Sequence, residues 1–151
     1  PTLEIIVPAP KIQQLAVIRG VEAQSETVWR QADRYKVPRL AFINKMDREG
    51  ADFERTFDEI AQRLSAHPVA LQIPVGVGPA HTSDAFCGVI DLIEMKMLVF
   101  DHETEGRIVR KLDIPEDKLA AAELWRDTML EKLYAHSDEL MELALQEQPI
   151  S

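Results

Sequence analysis

The sequence has little cysteine, few aromatic residues and no long apolar segment. Cys87 is the single cysteine, so no internal disulfide can form and a reducing compartment is expected. No apolar run approaches the roughly 20 residues that span a bilayer, so we expect no membrane-spanning helix. Residues 1–8 lack the basic region and cleavage site of a signal peptide. The 151 residues, 46% hydrophobic and 28% charged, are typical of one soluble domain, and we expect a cytoplasmic location.

Basic residues are also scarce, and the acidic excess is uneven. The chain has 17 Lys and Arg against 26 Asp and Glu, a net charge of −9. Residues 113–151 contain 10 acids and 3 bases, whereas residues 1–112 contain 16 acids and 14 bases. Binding to a phosphate backbone requires Lys and Arg, so we expect no direct DNA binding through the acidic region. That region suits either a basic protein partner or a solvated surface.

Hydrophobic periodicity predicts alternating helices and strands in the first half of the chain. Residues 22–36 predict a helix with Val28, Trp29, Ala32 and Tyr35 on its apolar face. Residues 40–43 form a continuous apolar run typical of a strand buried on both faces. Asp52 is a predicted N-cap for the next helix, in which apolar residues recur at helical spacing. Residues 3–7, which prolines flank, predict at most an edge strand.

The second half of the chain has a different order of elements. Residues 69–75, 86–92 and 95–100 predict strands, and residues 107–112 predict a strand that returns as a hairpin. From Pro115 the period is helical again, with a second helix that Ser137 or Asp138 can cap. This order predicts an α/β unit, residues 1–68, followed by an α+β insert, residues 69–151.

The polar residues Asn44, Lys45 and Asp47 directly follow the predicted strand 40–43. Open α/β sheets place ligand-binding residues at this end of a strand. Guanine presents two donors, N1–H and N2–H2, that one carboxylate can accept together, and two acceptors, O6 and N7, that suit an amide. The stem of a lysine can cover the flat base. The alternative is a polar turn in which Asp47 caps the following turn.

Residues 20–48 closely resemble the GTPase domain of the bacterial elongation factor G family, with Asn44-Lys45-Met46-Asp47 at the position of its guanine-specificity motif. Residues 88–96 and the acidic helices resemble the insert of that domain, so the resemblance covers roughly residues 20–148. It implies a partial P-loop-type GTPase fold with an α+β insert, in which Asn44, Lys45 and Asp47 bind the guanine of GTP or GDP. It also implies the ribosome and the ribosomal stalk protein as partners.

The sequence also lacks parts of that family's machinery. None of the six glycines is followed by Lys, so the Gly-x-x-x-x-Gly-Lys phosphate loop and its Mg²⁺-binding hydroxyl are absent. We therefore predict no catalytic residue and no GTP hydrolysis by this chain, weak or absent nucleotide binding, and Mg²⁺ only in the full-length family protein. The chain is expected to be an internal piece of such a protein, and residues 1–19 depart from the family pattern.

Two other classes of function stay open on the sequence. The chain could be a stand-alone protein-interaction module that uses its acidic helices, or a truncated remnant without function. The four histidines are far apart in the sequence, so no metal site is predicted. Cys87 has no general base beside it and is predicted to be a small core residue.

Overall fold

The computed structural model describes residues 4–9, 23–35, 39–101, 104 and 106–146 of the chain. The strands in these residues are β1 (Glu4–Ala9), β2 (Arg39–Asn44), β3 (Pro68–Ala70), β4 (Gln72–Val75), β5 (Gly88–Asp91), β6 (Lys96–Phe100) and β7 (Val109–Leu112). The helices are α1 (Ala23–Arg34), α2 (Phe53–Leu64), α3 (Glu116–Tyr134) and α4 (Asp138–Leu145). They form a mixed helix-and-strand fold, which confirms the predicted α/β class.

The first sheet is parallel and has the order β2-β1-β3 in the described part of the chain. The prediction of an edge strand near residues 3–7 is therefore wrong, because β1 lies between β2 and β3. Pro8 pairs with Ile43 of β2 but lies beyond Ile6, the last residue that pairs with β3. A proline, which has no N–H to donate, is thus tolerated where the strand has one neighbour.

Strand β2 is less buried than its apolar run predicts. Leu40 is 52% exposed, Ala41 and Phe42 are half-buried, and only Ile43 and Asn44 are buried. The prediction of burial on both faces is wrong for the first half of the strand. The reason is its position, since β2 is an outer strand of the three that the structure describes. Burial increases toward the end of the strand from which the polar residues follow.

Helix α1 buries a narrower face than predicted. Trp29 is buried, but Val28 and Tyr35, which the periodicity places beside it, are exposed. The guanidinium of Arg39 lies 4.3 Å from the centre of the Trp29 ring, and its Nη1 donates to the carboxylate of Asp33 at 2.7 Å. A basic side chain at the start of β2 thus covers the tryptophan.

Helix α2 begins and packs as its sequence predicts. The Asp52 carboxylate accepts a hydrogen bond from the Arg55 N–H at 2.9 Å, which confirms the N-cap. Phe53 and Phe57 are buried and contact Trp125 of α3 edge to face, with ring centres 5.9 and 5.2 Å apart. This aromatic cluster of Phe53, Phe57 and Trp125 joins the helix after β2 to the C-terminal helices.

The chain passes from the parallel sheet to a second sheet at Leu71. β3 pairs with β1, whereas β4 begins a four-stranded antiparallel sheet of order β4-β5-β6-β7. The single strand predicted for residues 69–75 is therefore two strands, and the Leu71 carbonyl between them accepts the Leu92 N–H at 2.9 Å. The hairpin of β6 and β7 is confirmed. The division of the chain at residues 68 and 69 into two domains stays a prediction.

Helix α3 packs into the core that the two sheets share. Ala122 and Met129 are the buried residues of α3, and they join the same core as Ile73, Ile90 and Phe57. Ser137 caps α4 by accepting the Leu140 N–H at 3.3 Å, one of the two caps that the sequence allows. None of the described helices is long and apolar enough to cross a membrane.

Candidate functional site

The candidate site is the turn between β2 and α2, residues 44–51, which we call the guanine turn after the base that the family resemblance predicts as its ligand. It starts at the carboxyl end of a parallel strand, where ligand sites of open α/β sheets lie. Two hydrogen bonds close it, from the Arg48 N–H to the Lys45 carbonyl at 3.1 Å and from the Ala51 N–H to the Arg48 carbonyl at 3.2 Å. The structure thus brings Asn44, Lys45 and Asp47 together in one short segment.

Asn44 and Lys45 have an unusual local conformation. Asn44 is 6% exposed, and its side-chain oxygen accepts the Lys45 N–H at 2.7 Å. Lys45 has a φ of +62°, in the left-handed region. A residue with a Cβ pays roughly 1–2 kcal/mol for that conformation. Sequence analysis missed this strain, and such strain is concentrated at functional sites.

Met46 and Asp47 point to different environments. Met46 is 1% exposed, and its carbonyl accepts the Gly78 N–H at 2.8 Å. The side chain of Asp47 is half-buried and makes no hydrogen bond to any residue in the described part of the chain. The alternative in which Asp47 caps a following turn therefore finds no supporting contact, and Asp52 caps α2 instead.

Two clefts lie elsewhere, between α2 and the second half of the chain. The first, of about 310 Å³, is lined by Asp52, Phe53, Lys118 and Trp125 among others. The second, of about 400 Å³, is lined by Phe57, His67, Lys132 and His136 among others. Burial lowers the pKa of Lys132, an effect that Asp58 partly opposes. Asn44, Lys45 and Asp47 line neither cleft.

The prediction that Cys87 is a core residue is wrong, because the residue is exposed. Its thiol lies 3.5 Å from the Val75 carbonyl, and partial burial together with the Asp84 carboxylate raises its pKa. A raised pKa keeps the thiol protonated and weakly nucleophilic at neutral pH. Within residues 26–35, 39–101, 104 and 106–146 no group of three or more His, Cys, Asp or Glu side chains is suited to a metal ion. His102 lies outside the described residues.

Comparison with known proteins gives three similarities. The family described as "Elongation factor Tu GTP binding domain" matches residues 12–144. Elongation factor G of Salinibacter ruber (strain DSM 13855 / M31) is 48% identical over 130 residues, which are 86% of this chain and 18% of that protein. A crystal structure of a Thermus thermophilus protein has a TM-score of 0.71 at 19% identity, covering 91% of this chain and 19% of that one. The chain spans less than a fifth of the length of both relatives.

The left-handed conformation of Lys45 predicts an unusual effect of mutation. Lys45→Gly should raise the free energy of unfolding by roughly 0.5–1 kcal/mol relative to Lys45→Ala, because glycine adopts positive φ without a steric penalty. Both variants lose the lysine side chain, so their difference reports the strain less the extra conformational entropy that glycine loses on folding. Urea unfolding followed by tryptophan fluorescence measures it. A glycine variant that is no more stable than the alanine variant would contradict the strain.

Proposed function

Because the chain belongs to the family described as the elongation factor Tu GTP-binding domain, we propose that it recognises guanine nucleotides and contacts the ribosome during protein synthesis. The predicted resemblance is confirmed, and the chain is an elongation factor G-like translational GTPase domain. The proposal concerns what these 151 residues do themselves. It places them in the cytoplasm, which agrees with a single unpaired cysteine.

Guanine recognition is assigned to Asn44, Lys45 and Asp47. The observation that carries it is the position of all three in one hydrogen-bonded turn at the carboxyl end of β2. The Asp47 carboxylate can accept the N1–H and N2–H2 donors of guanine together, and it has no competing hydrogen bond in the described part of the chain. Lys45 can lay its stem across the base, and Asn44 holds the turn through its hydrogen bond to the Lys45 N–H.

The same geometry discriminates against adenine. Adenine presents no pair of donors to the Asp47 carboxylate, so binding would partly desolvate a charge without a partner. Sites that hydrogen-bond a substrate group reject analogues that lack it far more strongly than apolar pockets do. Because the phosphate loop is absent from the sequence, the base would supply most of the affinity. Guanosine should therefore compete nearly as well as GDP.

We expect fluorescently labelled GDP to bind the chain weakly, with displacement by GDP and guanosine but not by ADP. Asp47→Asn should weaken GDP binding about 100-fold or more, because two hydrogen bonds to a charged group are lost. The same variant should bind xanthosine diphosphate better than the wild type does, because xanthine has an oxygen in place of the guanine N2 amino group. Fluorescence anisotropy with nucleotide up to about 1 mM measures each affinity.

The matched control is Glu49→Gln, which removes one carboxylate from an exposed position in the same turn. It should leave GDP affinity unchanged. Equal losses of GDP affinity in Asp47→Asn and Glu49→Gln would mean that the net charge of the turn determines binding. Hydrogen bonds from guanine to Asp47 would then not be the cause. No saturable binding by the wild type would refute guanine recognition and favour a pure interaction module or a remnant without function.

We further propose that these residues do not hydrolyse GTP. Phosphoryl transfer needs backbone amides, a lysine and Mg²⁺ around the β- and γ-phosphates, and none of the six glycines precedes a lysine. Phosphate release from GTP and Mg²⁺ should equal that of buffer alone. Release that rises with chain concentration and is lost in Asp47→Asn would contradict this proposal.

The acidic C-terminal helices are the proposed contact with the ribosomal stalk protein. The supporting observation is an exposed acidic surface on α3 and α4, formed by Glu116, Asp117, Glu123, Asp127, Glu131, Asp138, Glu139 and Glu142. Leu124 and Met141, also exposed, lie on the same helices. Charged and apolar groups side by side suit a protein partner with a basic, partly apolar surface.

Two basic residues of these helices contact backbone outside the helices. Arg126 donates to the carbonyls of Leu92 and Ile93, and Lys132 donates to the Pro68 carbonyl at 2.8 Å. Their positive charges are therefore directed toward the backbone of the neighbouring strands and turn. Lys118 pairs with Asp117 at 3.7 Å. On α4, the Glu142 carboxylate accepts a hydrogen bond from the Gln146 side-chain amide at 3.2 Å.

Binding of the purified stalk protein should weaken with salt and with loss of these charges. Glu123→Gln with Asp127→Asn removes two adjacent acids from one face of α3, because the two residues are one helical turn apart. Glu49→Gln with Glu54→Gln is the control, with the same change in net charge at exposed positions elsewhere. Titration calorimetry at low and high ionic strength should show a loss of affinity for the first pair only. Equal affinities for the two double variants would refute this contact.

A further inference from the structure

The loop between β4 and β5, residues 76–87, reaches across to the guanine turn, and we call it the bracing loop. Its Gly78 N–H donates to the Met46 carbonyl at 2.8 Å, over a separation of 32 residues. Within the loop, the Val77 N–H donates to the Asp84 carbonyl at 2.7 Å and the Phe86 N–H donates to the Gly78 carbonyl at 3.1 Å. The loop is thus closed on itself by backbone hydrogen bonds and is not a loose connection.

Glycine is required where the bracing loop begins. Gly76 has a φ of +71°, and an added Cβ would lie 2.1 Å from the Ala85 carbonyl oxygen, a distance that no real contact tolerates. Gly78 has a φ of +97°, but a Cβ there would meet its nearest atom, the Thr82 hydroxyl, at an ordinary 3.6 Å. The backbone of Gly76 therefore runs close to the Ala85 carbonyl. This close approach fixes the course of the chain that brings the Gly78 N–H to the Met46 carbonyl.

We propose that the bracing loop positions the guanine turn, with Gly78 as a positioning residue for Asp47. The Met46 carbonyl and the Asp47 N–H belong to one planar peptide unit. A hydrogen bond that holds this carbonyl therefore fixes the plane from which the Asp47 side chain extends. The inference rests on the proposed guanine recognition and extends it, because a residue of the second sheet's loop then controls the specificity of the site.

The guanine turn is held on two sides by the second half of the chain. Gly78 holds its middle, and Trp125 packs on Phe53, two residues beyond its end at Ala51. Met46 is buried in the core and cannot shift without disturbing it.

The test compares variants of two glycines that have similar positive φ values and different surroundings. Gly76→Ala places a Cβ against the Ala85 carbonyl, whereas Gly106→Ala, at a φ of +79°, meets nothing closer than the Phe100 Cβ at 3.9 Å. Labelled GDP should bind Gly76→Ala about tenfold more weakly than it binds Gly106→Ala, as for the loss of one good hydrogen bond. Equal GDP affinities in the two variants would overturn the proposal.

A second measurement does not depend on nucleotide binding. Amide hydrogen exchange of the Arg48 and Ala51 N–H groups, which close the guanine turn, should be faster in Gly76→Ala than in Gly106→Ala. If the wild type binds no GDP, guanine recognition fails and exchange alone decides the positioning role. Unchanged exchange would then overturn it, and faster exchange would support it.

A milder variant covers the case in which Gly76→Ala does not fold. Gly78→Ala leaves room for its Cβ but strains the backbone that carries the N–H. It should accelerate exchange at Arg48 and Ala51 and weaken GDP binding relative to Gly106→Ala. A folded Gly78→Ala chain with wild-type exchange at both amides would overturn the proposal.

Discussion

The contact of Phe53 and Phe57 with Trp125 is the interaction on which the arrangement of this molecule depends. The two ring pairs, 5.9 and 5.2 Å apart, join the helix that follows the candidate site to the helix that follows the second sheet. Edge-to-face pairs of this kind contribute about 0.5–1.5 kcal/mol beyond the apolar area that they bury. Because the same core contains Ile43, Ile73 and Ile90, the parallel and antiparallel sheets share one interior.

That shared interior explains how a short polar turn acquires a defined shape. Asn44 and Met46 are buried, so they anchor the turn in the core. Lys45 and Asp47 alternate with them and are partly open to solvent, where a ligand could reach their side chains. The anchoring offsets the left-handed conformation of Lys45. The turn therefore owes its shape to tertiary contacts, whereas an isolated peptide of the same residues would have to be ordered at the moment of binding.

Several features were predictable because their causes are local. The cap of Asp52 on α2, the cap of Ser137 on α4 and the β6–β7 hairpin each depend on neighbouring residues, and each is confirmed. The predictions for Cys87 and for the apolar face of α1 are wrong, because burial depends on what packs against a residue. The roles of Asn44, Lys45 and Asp47 in binding guanine stay a prediction.

The sequence by itself determined the family, the α/β class and the polar residues that follow β2. These features depend only on residue identity and on patterns among residues that are close in the sequence. The tertiary structure decided that β1 lies inside its sheet, that the chain changes sheets at Leu71 and that Gly78 holds Met46. The physical reason is the large sequence separation between the residues that make these contacts. A hydrogen bond over 32 residues depends on how two sheets pack, and no periodicity within a helix or strand records that packing.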